Sequence, residues 1–409
     1  MIGISRRAVV TAAALNMAWA CSEPRVDSIV LAVRATLPAE QMALDNTIQA
    51  FTAATGIVVR REVITDEYMD VLRSRFAARK TPDVFYLEAA EAPLLIKSDV
   101  LEPFDGRIHR PDDFFPRFLA AFKGDDGKVY GLPKDYSTLA LFMNTWLLAR
   151  AGYRPDDVPK DLNGMMAFAK ALQARLPGGT AAMIYERDLA RHLSAIEAFG
   201  TPVVAANGDA QLSTNAGALA YLDAFVRGRR EGYLQSPKDD FGSDSPGAAF
   251  GSGRAAMMMD GNWVLGSLRH DYHDVPFAVR EMPMVNGQRH TMAFVVGLSV
   301  SRFARNKEGG IRFAQFMTGS GMAQWSRQSG TLPSRRSVQD EMGLSDDPIV
   351  GAFTRGADYA TVWTRGTGLP IINTNFGNQF LAALNGSKPV AEAMRRAEVA
   401  ANREIERQK

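Results

Sequence analysis

Most residue groupings in this 409-residue chain that invite a catalytic reading fail it. There is no GxxxxGK[ST] phosphate loop, no GxSxG nucleophile elbow and no HExxH zinc helix. Gly251-Ser-Gly253 is too short for a phosphate loop and reads as a helix end. His270 and His273 stand three apart with no third or fourth metal-type ligand beside them, which suits a solvated turn better than zinc. Asp239-Asp240 and Asp346-Asp347 are adjacent pairs whose side chains point apart. A glycoside hydrolase needs two carboxylates facing each other about 5 to 9.5 Å apart. No cofactor, no metal and no enzymatic role is therefore expected. What remains is recognition chemistry. Trp263 follows Asp260-Gly-Asn directly after an apolar run, so it should emerge at the end of a strand, either to meet a ligand or to pack in a core. Glu88 follows Val84 to Leu87 in the same way, as a binding carboxylate or a solvated loop residue.

The elements that must carry these residues alternate. Ser28-Ile-Val-Leu-Ala-Val-Arg34 is a short run rich in β-branched residues and predicts a buried strand. Leu37 to Thr55 predicts an amphipathic helix closed by Gly56, Ile57 to Ile64 a strand, Glu67 to Ala78 a helix and Asp83 to Leu87 a strand. Such alternation with short connections means βαβ units and a largely parallel sheet. Ligands on such sheets sit at the carboxyl ends of strands, which places Thr36 and Glu88 on a cleft wall. A second series follows. Strands are predicted over Leu139 to Asn144, Ala255 to Met259, Val275 to Met282 and Phe294 to Ser301. Helices are predicted over Trp146 to Ala151, Leu162 to Leu176, Ala218 to Gly228, Lys307 to Thr318, Met322 to Ser329, Ala352 to Thr361, Phe376 to Leu384 and Pro389 to Arg407, and one is predicted to close over Phe250 to Arg254.

The first 20 residues have the form of a secretory signal. They carry Arg6 and Arg7, no acidic residue, and an apolar stretch from Ala8 to Ala20, too short for a membrane span of about 20 residues. Ala18-Trp19-Ala20 suits an ordinary signal peptidase. Small residues directly before Cys21 suit a lipoprotein signal in which that cysteine is acylated. Ser5-Arg6-Arg7 also fits a twin-arginine signal, so the export route stays open. Cys21 is the only cysteine, cannot form an intrachain disulfide, and is expected to serve as a lipid anchor. Removal of residues 1 to 20 leaves 45 basic and 45 acidic residues, which lacks the basic excess that nucleic acid requires. The remainder exceeds the size at which a single core stops growing, so two lobes are expected.

Four blocks carry a family resemblance. They are Thr81-Pro-Asp-Val84 with Ser98-Asp-Val-Leu-Glu-Pro-Phe104; Asp126-Gly-Lys-Val-Tyr-Gly-Leu-Pro133 with Leu141-Phe-Met-Asn144; Ala248 to Met258 with Asp260-Gly-Asn-Trp263; and Asn306 to Met317 with Leu332-Pro-Ser-Arg335. In that order and spacing the chain resembles the family 1 extracellular solute-binding proteins of ABC importers, the maltose-binding-protein-like sugar-binding group. The resemblance implies an α/β, periplasmic-binding-protein-like fold of two lobes built from discontinuous segments and joined by a hinge. It implies crossings near Asp135 to Ala140, Asp271 to Pro276 and Ser329 to Arg335. Residues 21–137 plus 276–330 would form the N-terminal lobe, and 138–275 plus 331–409 the C-terminal lobe.

It further implies a monomer that captures a mono- or oligosaccharide or polyol glycoside, and delivers it to membrane permease subunits with no nucleic-acid partner. A sugar offers apolar ring faces to aromatics and a rim of hydroxyls to charged or amide side chains. By resemblance Trp263 stacks on the ligand, Glu88 matches an acidic ligand-binding position, and Asp135 and Tyr136 contact ligand at the first crossing. Arg335 either donates a bidentate pair to hydroxyls or bridges the lobes. Trp363 and Asn373 lie where the family places further contacts, and Thr36 is a further wall candidate. One departure stands out: Ala293-Phe294-Val295-Val296 replaces paired small glycines, and Phe294 would either shrink or reshape the cleft or lie buried as an ordinary strand residue. Two alternatives remain, the same fold holding a phosphorylated polyol such as a glycerol phosphate through Arg335 and Arg187, or an exported carbohydrate-active enzyme.

Overall fold

The computed structural model describes residues 28–36 and 38–408. The signal segment and Cys21 lie outside them. Among the described residues twelve strands connect into one sheet, eight along its main path and β4, β9, β11 and β12 branching from it: β1 (Ser28–Arg34), β2 (Val58–Ile64), β3 (Val84–Glu88), β4 (Leu101–Glu102), β5 (Leu132–Asn144), β6 (Ala181–Ile184), β7 (Leu234–Gln235), β8 (Ala255–Gly261), β9 (Phe277–Glu281), β10 (Met292–Ser301), β11 (Leu332–Pro333) and β12 (Thr361–Val362). The spatial order is β2-β1-β3-β10-β5-β8-β6-β7. β1, β2 and β3 are parallel to one another, as are β6, β7 and β8, while β10 and β5 run antiparallel to their neighbours on that path. The fold is therefore the expected two-lobed α/β arrangement, with the parallel pairs produced by strand–helix–strand crossovers.

Local chemistry accounts for the helices between the strands. The helix Pro38–Thr55 turns Ala43, Leu44, Thr47 and Phe51 inward at helical spacing and ends before Gly56, whose φ of 75° only glycine adopts without strain. Asn144, Asp161 and Asn306 each cap a helix, accepting from the backbone N–H three residues on. Two cores result. Leu31, Phe51, Ile311, Phe313 and Trp325 pack under the first lobe. Met165, Met183, Leu193, Met257, Phe376, Phe380 and Met394 pack under the second.

β5 joins the halves. Its residues Leu132 to Thr138 pair with β10, and Leu139 to Met143 pair with β8. The change of partner falls within the stretch expected to be the first crossing. β9 pairs with the second half of β5, from Ala140 to Asn144, so the return to the first lobe is made by β10 rather than by β9. One prediction is corrected outright. Ala352 to Thr361 is not one helix: the helix is Gly351–Gly356, and Thr361–Val362 form β12, parallel to β10 at Met292 and Ala293. The β-branched Thr361 and Val362 find an edge backbone to pair with, which outweighs the helical spacing.

Candidate functional site

A cavity of about 460 Å³ opens between the two halves, within the range of small-molecule sites. Its first wall is made by the carboxyl ends of β1 and β3 and the start of the helix Pro38–Thr55. Arg34 ends β1 and Glu88 ends β3, and parallel pairing brings them into an ion pair. Glu40 stands in the first turn of that helix. Burial pushes its carboxyl up from its ordinary value, Lys134 pulls it back, and Asp135 pushes it up again. Tyr86, two residues before Glu88, lies on the same side of β3 and also lines the cavity.

The floor is β5. Successive strand residues normally face opposite ways. Here the ladder to β10 slips: Gly297 faces Pro133 and Val296 faces Asp135, leaving Lys134 as a bulge. Lys134 and Asp135 therefore both reach the cavity and form an ion pair with each other. The ammonium lies 4.5 Å from the Tyr86 ring centroid and 4.4 Å from that of Trp325. Lys134 is 1% exposed and Asp135 6%.

The opposite wall is aromatic. Trp263 caps the helix Val264–His270 just past β8 and stays 41% exposed. Its ring lies against Gly261, where a Cβ would come within 2.1 Å of it. Phe294 of β10 meets Trp263 edge-on at 5.4 Å and Trp363 at 6.4 Å. Trp363 is fixed there because its N–H donates to the Ala293 carbonyl at 2.8 Å, continuing β12. The three rings form one stepped apolar face. Asn262 anchors this wall to the lobe crossing by accepting from the Thr138 N–H at 3.2 Å. Arg269 adds a cation at the rim.

Behind Trp263 lies a second cavity of about 420 Å³, bounded by Glu186, Asp188, Arg191, Asp244 and Asp260. Arg191 stacks 5.0 Å from the Trp263 ring and bonds the buried Asp260 at 3.0 Å. Burial pushes Asp260 up and Arg191 draws it down. Burial, helped by Asp188, pushes Glu186 up to about 7. Among the described residues no set of three or more His, Cys, Asp or Glu side chains gathers as metal ligands would.

Of the residues singled out from sequence, Trp263, Glu88, Asp135 and Trp363 are brought together around the larger cavity. Five others are placed elsewhere. Tyr136 faces away from Asp135, packs its ring 4.7 Å from that of Phe118, and donates its hydroxyl to Gln339 at 2.9 Å. Arg335 is buried over the Phe114 ring and donates to the carbonyls of His109, Arg110 and Thr318. Those bonds close the loop 109–113 and leave its donors engaged. Asn373 accepts from the Leu189 N–H at 2.9 Å and caps the helix Leu189–Glu197. Thr36 is half-buried beyond β1, with its carbonyl accepting from Gln41. Arg187 is exposed and lines neither cavity. Sequence reasoning missed Arg34, Glu40, Tyr86, Lys134 and Asn262. Only Arg34 carried a usable signal, as the last residue of a predicted strand.

The chain matches the model of the bacterial extracellular solute-binding proteins over residues 46–352. A candidate binding protein of Brucella abortus is 24% identical over 315 residues, covering 75% of this chain and 76% of that one. Among solved structures, an ABC substrate-binding protein of Listeria monocytogenes in complex with cycloalternan superposes with a TM-score of 0.80 at 19% identity, covering 93% and 99% of the two chains. The sugar-binding protein of the phytopathogen Xanthomonas citri gives the same TM-score of 0.80, identity of 19% and coverage of 93% and 99%. At that identity the likeness is one of fold.

Proposed function

The chain belongs to the bacterial extracellular solute-binding proteins, and from that premise we propose that it captures a neutral mono- or oligosaccharide for an ABC importer. The observation that carries this reading is the pairing of two unlike walls across one cavity. Trp263, Phe294 and Trp363 offer a stepped aromatic face for the apolar faces of sugar rings, and Glu40, Glu88 and Asp135 oppose it with hydrogen-bond acceptors. The sugar complexes of proteins with this fold are consistent with it. Neutrality follows from the charges. Of the three cleft cations, Arg34 and Lys134 are each taken up by a carboxylate, and Arg269 is the one of the three with no ion pair among the described residues. A phosphorylated polyol would find one arginine without a carboxylate partner, and three carboxylates.

Two lobes closing about β5 would bury the solute and present a closed form to the permease subunits, with the solute released unchanged and the protein acting as a monomer. We draw the lobes as residues 21–137 plus 276–330 and 138–275 plus 331–409. The pairing of β9 with β5 favours moving the middle boundary to after Glu281. Acylation of Cys21 would anchor the mature chain to the membrane, and mass spectrometry of the exported protein would show the lipid.

A thermal-shift screen with sugars, polyols and glycerol 3-phosphate tests the binding reading. A ligand at 100 times its Kd adds about 2.7 kcal/mol to the folded state. Trp263→Ala should abolish most of that shift for the best sugar. A shift that survives Trp263→Ala, a stronger shift with glycerol 3-phosphate than with any neutral sugar, or any product formed from the bound sugar overturns it.

A further inference from the structure

Nearly every buried polar group in a folded protein has a partner, so a buried hydroxyl without one marks a place where something else binds or where stability is given up. The Tyr86 hydroxyl is such a group. It is buried without a hydrogen-bonding partner, while the residue as a whole is 4% exposed. It is also on the cleft side of β3, since Tyr86 lines the larger cavity. Beside it are Glu40, for which no hydrogen bond or ion pair is formed among the described residues, and the Lys134–Asp135 pair. Burial first, and then the charges of Glu40 and Asp135, raise the Tyr86 phenol well above its ordinary range, so the group is a neutral O–H donor with two free lone pairs. The ring beneath it is fixed by the Lys134 ammonium 4.5 Å from its centroid.

We propose that Tyr86, Glu40 and Asp135 form a closed polar end to the cleft that takes a vicinal diol, the pair of adjacent hydroxyls on the terminal unit of the bound sugar. The stoichiometry of donors and acceptors fits. Two sugar hydroxyls donate to the carboxylates of Glu40 and Asp135, and one of them accepts from the Tyr86 hydroxyl. The aromatic face of Trp263, Phe294 and Trp363 is sequence-tolerant toward sugar rings, because every pyranose has an apolar face. The polar end supplies discrimination, because a site built for a hydroxyl rejects an analogue that lacks it. Lys134 holds Asp135 in place and is a positioning residue for this end. The assignment rests on the carbohydrate reading above.

The orphan hydroxyl gives the test an unusual signature. Tyr86→Phe removes only the oxygen and keeps the ring under Lys134. In the ligand-free protein it deletes an unsatisfied buried polar group, so the melting temperature should hold or rise. In the same variant, affinity for the best binder among glucose, mannose, maltose, maltotriose, cellobiose and mannobiose should fall about tenfold, measured by titration calorimetry. Glu40→Gln should cost a similar factor, and the combination should restore no binding. Wild-type affinity in Tyr86→Phe within twofold overturns the diol end while leaving the carbohydrate reading intact. A lower ligand-free melting temperature in Tyr86→Phe overturns it as well, by showing that the hydroxyl is satisfied within the protein. If none of these sugars binds the wild-type chain, the carbohydrate reading falls and takes this assignment with it.

Discussion

Lys134→Met is the perturbation whose cost the structure sets most sharply. Lys134 is 1% exposed, and its ammonium is held by the Asp135 carboxylate and by the faces of Tyr86 and Trp325. Methionine fills the same volume without the charge. It leaves the Asp135 carboxylate, 6% exposed, with no other hydrogen-bonding partner among the described residues. Removing one member of a buried pair costs about 3–5 kcal/mol, because the remaining charge has lost both water and its counter-ion. The reverse change, Asp135→Asn, should cost less. The two ring faces still hold the ammonium, and a desolvated cation–π contact is worth about 2 kcal/mol. A cost of about 1–3 kcal/mol is expected there. The double variant Lys134→Met/Asp135→Leu replaces the pair with apolar side chains and should lie within about 1 kcal/mol of the wild type. Urea unfolding followed by circular dichroism measures all four stabilities. At about 2 °C per kcal/mol for a protein of this size, Lys134→Met should melt roughly 6–10 °C lower. Costs that simply add, or a larger loss for Asp135→Asn than for Lys134→Met, would refute the reasoning.

Gly261→Ala leaves the backbone free of strain but puts a methyl where the Trp263 ring lies, within 2.1 Å. The half-exposed ring should swing into solvent, so sugar affinity should drop by about tenfold while the melting temperature moves little; tryptophan fluorescence and calorimetry check both, and unchanged affinity rejects the placement. Acid should destabilise the protein. Burial holds the imidazoles of His192 and His290 down to about 4 and pushes Glu186 up to about 7. The histidine contribution is complete above their unfolded value and lost as pH falls, whereas that of Glu186 is complete below its unfolded value and lost as pH rises. Between about pH 5 and 6.5 the unfolded chain binds two of these protons and the folded chain one, a loss of about 1.4 kcal/mol per pH unit on acidification. Glu186→Gln removes the opposing proton and should make the fall steeper in urea titrations across that range; an equal or shallower fall would show that Glu186 ionises at its ordinary pH.

Periodicity and punctuation determined the elements. The β-branched run of β1 and the inward stripe of Ala43, Leu44, Thr47 and Phe51 depend only on neighbours along the chain, so their bounds were legible to within a residue or so. The same local logic put Glu88 and Trp263 at strand ends facing a cleft, since a parallel sheet leaves its carboxyl ends open. Which side of a strand a residue faces was decided only by the partner. Alternation along β5 sends Asp135 and Tyr136 to opposite sides, and the bulge opposite Val296 and Gly297 turns Lys134 toward Asp135. The bulge belongs to two strands 160 residues apart, and Gly297 is needed there because a Cβ would meet Phe122 at 2.7 Å. Arg335 shows the same division. Its type suits a ligand-binding fork, but the carbonyls of 109 and 110 reach it first through tertiary folding. Trp363 was reached for the opposite reason, carried to Phe294 by a two-residue strand that local helical spacing had concealed. Sequence thus determined the walls of the cleft, while strand register and long-range hydrogen bonds decided which side chains stand free inside it.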